Sequence, residues 1–467
     1  MKYTQINKDH IDYFNNLLGR QNVISCEKRS EYSMDHTENL SYVPDLVLFP
    51  KSAKIISKIL KFCNEHVIPV TASASLTGLS GGALPLHGGI SLSFKKMNNI
   101  IEIDKENFQA MVEPGVINED FQNKLLDYKL FYPPDPASKG SCSLGGNFAL
   151  NAGGPKAVKY GVTSNFVLNL EIVLSDGTIM WTGANTLKNS TGYNLTQIMI
   201  GSEGTLAVIT KAVLRLLPLP TFKSLLVIPF KNNSEACQAV SKIMLHEIIP
   251  SALEFIEKRA VMLVKEKLDI DIPFAIDNEI NSYLYVEIDG GNKKIIFEQI
   301  EKVFEIMQNF DCGESVLAET SSEQNKLWKI RRSIGLAVKK HSIYKEEDTV
   351  VPRAYLVDLY DGVKLIEKKY NFKTVCYGHA GDGNLHVNIL KENLSDHQWN
   401  VILNYAIREI FQLCVKLKGT ISGEHGIGLV QKQFINIPLS SENINLQKKI
   451  KEIFDPKNIL NPGKIFM

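Results

Sequence analysis

Apolar residues recur at helical spacing near the start of the chain, where Ile11, Phe14, Leu17 and Leu18 predict a helix within residues 1–43. Residues 44–50 read as a short buried strand between proline stops, 53–66 as an amphipathic helix and 67–71 as a second strand. This β-α-β opening runs into a glycine-rich stretch, 75–85. Further on, 100–103 with 109–113 and 170–174 with 178–182 pair as hairpins, the second across Asp176-Gly177. Pro218-Leu219-Pro220 punctuates the chain as a boundary. Beyond it, strands at 225–230, 282–288 and 314–319 and helices at 234–246, 255–267 and 294–310 compose an α+β unit with an antiparallel sheet. A long helix from about Ser322 carries Trp328, Arg331 and Gly335, the last two one turn apart on one face. Helices at 356–370 and 395–416 follow. Between them residues 385–389 alternate strictly, which puts His386 and Asn388 on one face of a strand and Leu385, Val387 and Ile389 on the other.

Composition narrows the class. A chain of 467 residues is too long for one ordinary core, so two or three domains are expected. Hydrophobic content of 44% and charged content of 22% are those of a soluble enzyme. Lys+Arg 52 against Asp+Glu 51 carries no polyanion signal, so no nucleic-acid partner is expected. The first residues have no apolar core of a secretion signal, and no run is long enough for a membrane span. The expected location is cytoplasmic, free or peripheral at the inner face of the membrane. The 7 cysteines are scattered without a Cys-x-x-Cys, which implies a reducing compartment and excludes a cysteine-held iron–sulfur site within the chain. Cys376 reads as a buried structural thiol rather than a ligand.

The chemistry sits in glycine-rich loops. Ser75-Leu76-Thr77-Gly78-Leu79-Ser80-Gly81-Gly82 follows a strand directly, where backbone N–H groups converge on a phosphate or pyrophosphate. It has neither a Gly-Lys-Ser/Thr ending nor a Gly-x-Gly-x-x-Gly pattern. Prolines at 133–136 and paired glycines in 143–155 make rigid surfaces of close approach, and 201–210 adds another glycine turn into a buried strand. Later come Gly378-His379-Ala380-Gly381-Asp382-Gly383-Asn384-Leu385-His386 and Ser422-Gly423-Glu424-His425-Gly426-Ile427-Gly428. Two histidines and a carboxylate suit a divalent transition metal with an open position, zinc first and iron second. A further histidine beside that set could act as a base. Asp382 reads as a turn residue among glycines.

Taken in order, 77–85, 133–138, 144–155, 201–210, 378–386, 422–428 and 461–463 resemble the FAD-linked oxidases whose FAD domain is of the vanillyl-alcohol-oxidase type. Within that family they resemble the branch that holds D-lactate dehydrogenase and the large subunit of glycolate oxidase. The resemblance implies an α+β fold: an FAD-binding domain of two subdomains at 1–220, a substrate or cap domain with an antiparallel sheet at 221–418, and a C-terminal segment at 419–467 that completes the active site and packs back on the FAD domain. It assigns 75–82 to the FAD pyrophosphate. Pro133, Asp135, Pro136, Ser143, Gly145, Gly146, Asn147, Gly153 and Gly154 line the flavin, with Glu203, Gly204 and Ile209 closing over it. His379, His386 and Glu424 match the metal ligands and His425 the proposed base. Asn388 and Arg331 match positions that hold the substrate carboxylate.

The implied reaction is oxidation of a short D-2-hydroxy acid, D-lactate or glycolate favoured, by hydride transfer to flavin N5. The implied cofactors are FAD and a divalent metal, zinc favoured over iron or manganese. Absence of His or Cys from 75–82 points to non-covalent FAD. Ser73-Ala74-Ser75-Leu76 departs from the family's Arg-Gly-Ala-Gly, and Gly335 and Glu346 replace the threonine and lysine found in relatives acting on 2-hydroxyglutarate. Two other readings are a flavin-dependent transferase of the alkyl-glycerone-phosphate synthase type and one component of a larger glycolate oxidase. The electron acceptor stays open among quinone, an electron-transfer flavoprotein, a cytochrome and an iron–sulfur subunit. A homodimer is the expected assembly.

Overall fold

The computed structural model describes residues 2–37 and 40–467. The chain forms two compact units. The first takes residues up to Ala152, Val162–Leu219 and Glu424–Met467; the second takes Gly153–Gly161 and Pro220–Gly423.

In the first unit the helix Ala53–His66 buries Ile56, Ile59, Leu60 and Cys63, one stripe at helical spacing. That stripe packs on a sheet in which Ile90–Ser93 lies between the parallel strands Leu46–Leu48 and Val70–Ser73. The β-α-β opening expected from the sequence is therefore present, its second strand starting at Val70 rather than Val67. A second, five-stranded antiparallel sheet contains both expected hairpins, Ile100–Asp104 with Gln109–Val112 and Val167–Val173 with Ile179–Trp181. The C-terminal segment returns to this unit, where Leu460 pairs with Val70.

The second unit is built on seven antiparallel strands: β1 Phe222–Phe230, β2 Ala252–Glu257, β3 Ser282–Gly290, β4 Val316–Ala318, β5 Tyr344–Val350, β6 Lys373–Gly378 and β7 Asn384–Leu390. Their order across the sheet is β4-β1-β3-β2-β6-β7-β5. Helices Lys258–Leu268 and Ser321–His341 cover one face, meeting Leu225, Ile256, Tyr283, Tyr285, Val375 and Tyr377. Strand alternation puts Glu254, Glu287, His386 and Asn388 on that same face.

Three strands of this sheet escape the sequence pattern. The pattern carries residues 255–257 into a helix, yet they belong to β2 and the helix starts at Lys258. Every residue of β2 is buried, so no alternation marks it, and Ala, Leu and Glu favour helices. The edge strand β5, Tyr-Lys-Glu-Glu-Asp-Thr-Val, is too polar to read as sheet, as edges commonly are. β6 is likewise a strand that the pattern did not announce. Among the described residues no helix is long and apolar enough to cross a membrane.

One glycine fixes the β6–β7 hairpin. Gly383 sits at φ +74°, and a Cβ there would collide with the carbonyl oxygen of Val351. Gly383→Ala should lower stability by about 3 kcal/mol, the upper end for a strained backbone position. Denaturant unfolding beside Gly291→Ala, where nothing lies within 4 Å of an added Cβ, checks this; equal midpoints would refute it.

Candidate active site

The β6–β7 hairpin presents two histidines. Tyr377 lies opposite His386, and the turn through Ala380–Asp382 is closed by hydrogen bonds from the Asp382 and Asn384 amides to the His379 carbonyl. The two imidazoles meet edge to face, centroids 5.2 Å apart, and both are buried. His379 Nδ1 is 2.7 Å from Glu254 Oε1 on β2, which leaves Nε2 as its nitrogen for a ligand. His386 Nδ1 lies 3.4 Å from Asp348 Oδ1 and 3.8 Å from Glu346 Oε1, both on β5. Cys376, by contrast, is fully buried, and burial pushes its thiol up to about 12.

Arg331 enters from the helix Ser321–His341 and is buried, not a solvated helix charge. Its Nε donates to Glu254 Oε2 at 2.7 Å, and its guanidinium lies over the Tyr377 ring, 4.9 Å from the centroid. Nη2 is 2.6 Å from the same oxygen but makes no aligned hydrogen bond. Asn388 places its side-chain nitrogen 3.4 Å from the Val375 carbonyl, while its side-chain oxygen is buried without a partner. Gly335 stands opposite the Tyr377 hydroxyl, with 3.6 Å to an added Cβ. Burial alone raises the Glu254 pKa; the charges of His379 and Arg331 more than offset this and hold it below the ordinary carboxylate value. The sequence reading missed Glu254. The signal available was a carboxylate inside the apolar run Ala252–Ile256, since buried acids are rarely without a charged partner.

Asp348 anchors the end of this unit. Its Oδ2 accepts from the Gly423 amide at 2.7 Å and the Ser422 hydroxyl at 3.1 Å, and its Oδ1 from Asn384 at 2.8 Å. Glu424 and His425 come next in the chain and open the last segment of the first unit. Backbone bends run through 423–425, so the two side chains are not on opposite faces of a strand. The Glu203 carboxylate accepts the Ile427 and Gly428 amides, each at 2.8 Å, and locks the turn just after His425. Burial pushes Glu203 up to about 7 against these amides and Lys464.

In the first unit Ser75–Gly82 follows the strand Val70–Ser73 at its carboxyl end, where α/β sheets bind ligands. Leu76 and Gly81 are left-handed, the Gly81 amide donates to Thr37 Oγ1 at 2.6 Å, and the Gly82 carbonyl accepts from Asn461. Ser143 begins the helix Leu144–Leu150, with the Gly145 amide on the Pro114 carbonyl and Asn147 on Asn118. Pro133, Asp135 and Pro136 form a largely buried strip before it. Glu203 and Gly204 are left-handed at the turn into the strand Val208–Arg215, which contains Ile209. Gly153 and Gly154 belong to the second unit. The Ser80 and Ser143 hydroxyls are buried without protein partners. Each such atom costs about 1–3 kcal/mol unless a ligand satisfies it. A polar cofactor along these two loops fits that chemistry.

The first unit carries the glycine-rich loops and the second a seven-stranded antiparallel sheet. Residues 44–183 match the family described as FAD binding domain, and 219–465 match the C-terminal domain of FAD linked oxidases. The chain is 38% identical over 440 residues to glycolate oxidase subunit GlcD of Bacillus subtilis (strain 168), covering 94% of this chain and 92% of the relative. It is 33% identical over 468 residues to a D-lactate dehydrogenase of Anaerostipes hadrus, covering 99% and 98%. Among solved structures, p-cresol methylhydroxylase aligns with a TM-score of 0.78 at 18% identity, over 97% of this chain and 96% of that one, a likeness of fold. The chain belongs to the FAD-linked oxidases and is an FAD-dependent oxidoreductase with the vanillyl-alcohol-oxidase-type fold that the sequence implied.

Proposed function

We propose that the protein oxidises a short 2-hydroxy acid, D-lactate or glycolate, to the 2-oxo acid, using non-covalent FAD and a divalent metal, zinc favoured. The observation that carries this reading is Arg331, a buried guanidinium over the Tyr377 ring on the sheet face that also bears His386 and Asn388, its Nη2 paired with Glu254 but without an aligned hydrogen bond. The names of the relatives, glycolate oxidase subunit and D-lactate dehydrogenase, support the same class of substrate. Bound FAD supplies the hydride acceptor, and a cation held by His379, His386 and Glu424 supplies Lewis acidity. Chain continuity supports Glu424 as the third ligand: Gly423 is bonded to Asp348, Asp348 lies against His386, and successive Cα atoms are about 3.8 Å apart. Loops 75–82 and 143–147 hold the cofactor through the Ser80 and Ser143 hydroxyls. Arg331 Nη2 and the Asn388 side chain orient the substrate carboxylate, and the Tyr377 ring lies against the guanidinium. His425 accepts the proton of the 2-hydroxyl.

Substrate size follows from two residues. Glu346 is half-buried, 3.8 Å from His386 Nδ1, and repels a second carboxylate; Gly335 offers none a partner. D-Lactate or another short monocarboxylate should exceed D-2-hydroxyglutarate in kcat/KM by at least about tenfold. Anaerobic titration with a panel of D- and L-hydroxy acids, followed at the flavin band, measures it. The opposite preference would refute the size argument, and a flavin bleached by no hydroxy acid would overturn the function.

A further inference from the structure

We propose that Glu254 is a positioning residue that joins the metal site to the recognition of the substrate carboxylate; this deepens, and rests on, the function proposed above. The side chain is fully buried on β2, where Phe255 pairs with Gly378 and so brings Glu254 beside His379. Its two oxygens are divided between two partners. Oε1 is 2.7 Å from His379 Nδ1; Oε2 is 2.7 Å from Arg331 Nε and 2.6 Å from Nη2. A carboxylate on one ring nitrogen fixes the tautomer and rotation of a histidine and makes its other nitrogen a better ligand. The same carboxylate holds the guanidinium against the Tyr377 ring and supplies the counter-charge that a buried arginine requires. One side chain therefore sets both the metal ligand and the carboxylate clamp.

Glu254→Gln tests the link. It keeps the volume and one acceptor oxygen, but turns an amide NH₂ toward the other donor, so at most one partner is retained. Glu257→Gln is the control on the same strand: that buried carboxylate bonds instead to Tyr360, Lys364 and the Cys376 amide. In FAD-loaded protein, zinc affinity from chelator competition should weaken about 10–100-fold in Glu254→Gln. At saturating zinc, KM for the hydroxy acid should still rise about tenfold, the scale of one charge-assisted contact. Glu257→Gln should change neither by more than about twofold, as expected for a site outside the linked set. Wild-type zinc affinity and KM in Glu254→Gln would overturn the proposal and leave the proposed function standing. Equal losses in both variants would also overturn it, by marking a general effect of disturbing β2. A wild-type protein with no zinc affinity would overturn both. If Glu254→Gln does not fold, Glu254→Asp serves in its place: one methylene shorter, it keeps the charge but cannot span both partners, and wild-type values in it would again overturn the link.

Discussion

His386→Ala should abolish turnover and metal retention together while leaving FAD bound. His386 lies on β7, a strand paired on both sides, by β6 and β5, and its alternate residues Leu385, Val387 and Ile389 are buried on the opposite face. The alanine variant keeps that packing and loses only the imidazole. Loss of a metal-based contribution to the transition state, worth several kcal/mol, corresponds to a fall in kcat of about 10³-fold or more. The loops carrying the orphaned Ser80 and Ser143 hydroxyls belong to the first unit, so flavin absorbance should follow the purified variant at full stoichiometry. Elemental analysis and the flavin spectrum of the same sample give the two readings. Full activity in a metal-free preparation would sink the metal, and loss of FAD with the metal would show that the variant disturbs more than a ligand.

The sequence made particular parts of this protein legible. Helix 53–66 was readable because one stripe of Ile and Leu meets the core, and β7 because His386 and Asn388 alternate with three buried aliphatic residues. The glycine loops were visible because their backbone conformations have few alternatives: Gly81, Gly383, Gly426 and Gly428 all lie at positive φ. Glu254 was hidden for the opposite reason. Its strand is buried on both faces and has helix-favouring composition, so the local signal pointed the wrong way and only tertiary pairing corrects it. Asp348 was hidden within an edge strand that reads as a charged surface. Both residues hold other groups in place, Glu254 bonding His379 and Arg331 and Asp348 bonding Asn384, Ser422 and Gly423, and such partners leave no motif because any strand that reaches the right place can supply them.

His425→Asn should lower kcat by about 10²–10⁴-fold, the contribution of a positioned general base, with KM changed far less. Asparagine preserves hydrogen bonding and most of the volume but cannot take a proton at neutral pH. The backbone around it is fixed by other groups: Gly426 and Gly428 are left-handed, a Cβ at Gly428 would collide with the Ser80 carbonyl, and Glu203 holds the Ile427 and Gly428 amides. The substitution therefore changes the chemistry at 425 without releasing the turn. Proton removal from the 2-hydroxyl belongs to the transition state, which is why the loss should fall on kcat rather than on binding. The competing account has the hydroxyl shed its proton to water once polarised, with His425 serving only as a hydrogen-bond donor. Asparagine's amide would replace that function, and the variant would then keep more than about a tenth of wild-type kcat, above the range that loss of a general base allows. Steady-state kinetics at saturating substrate on FAD-replete, metal-replete protein separates the two accounts directly.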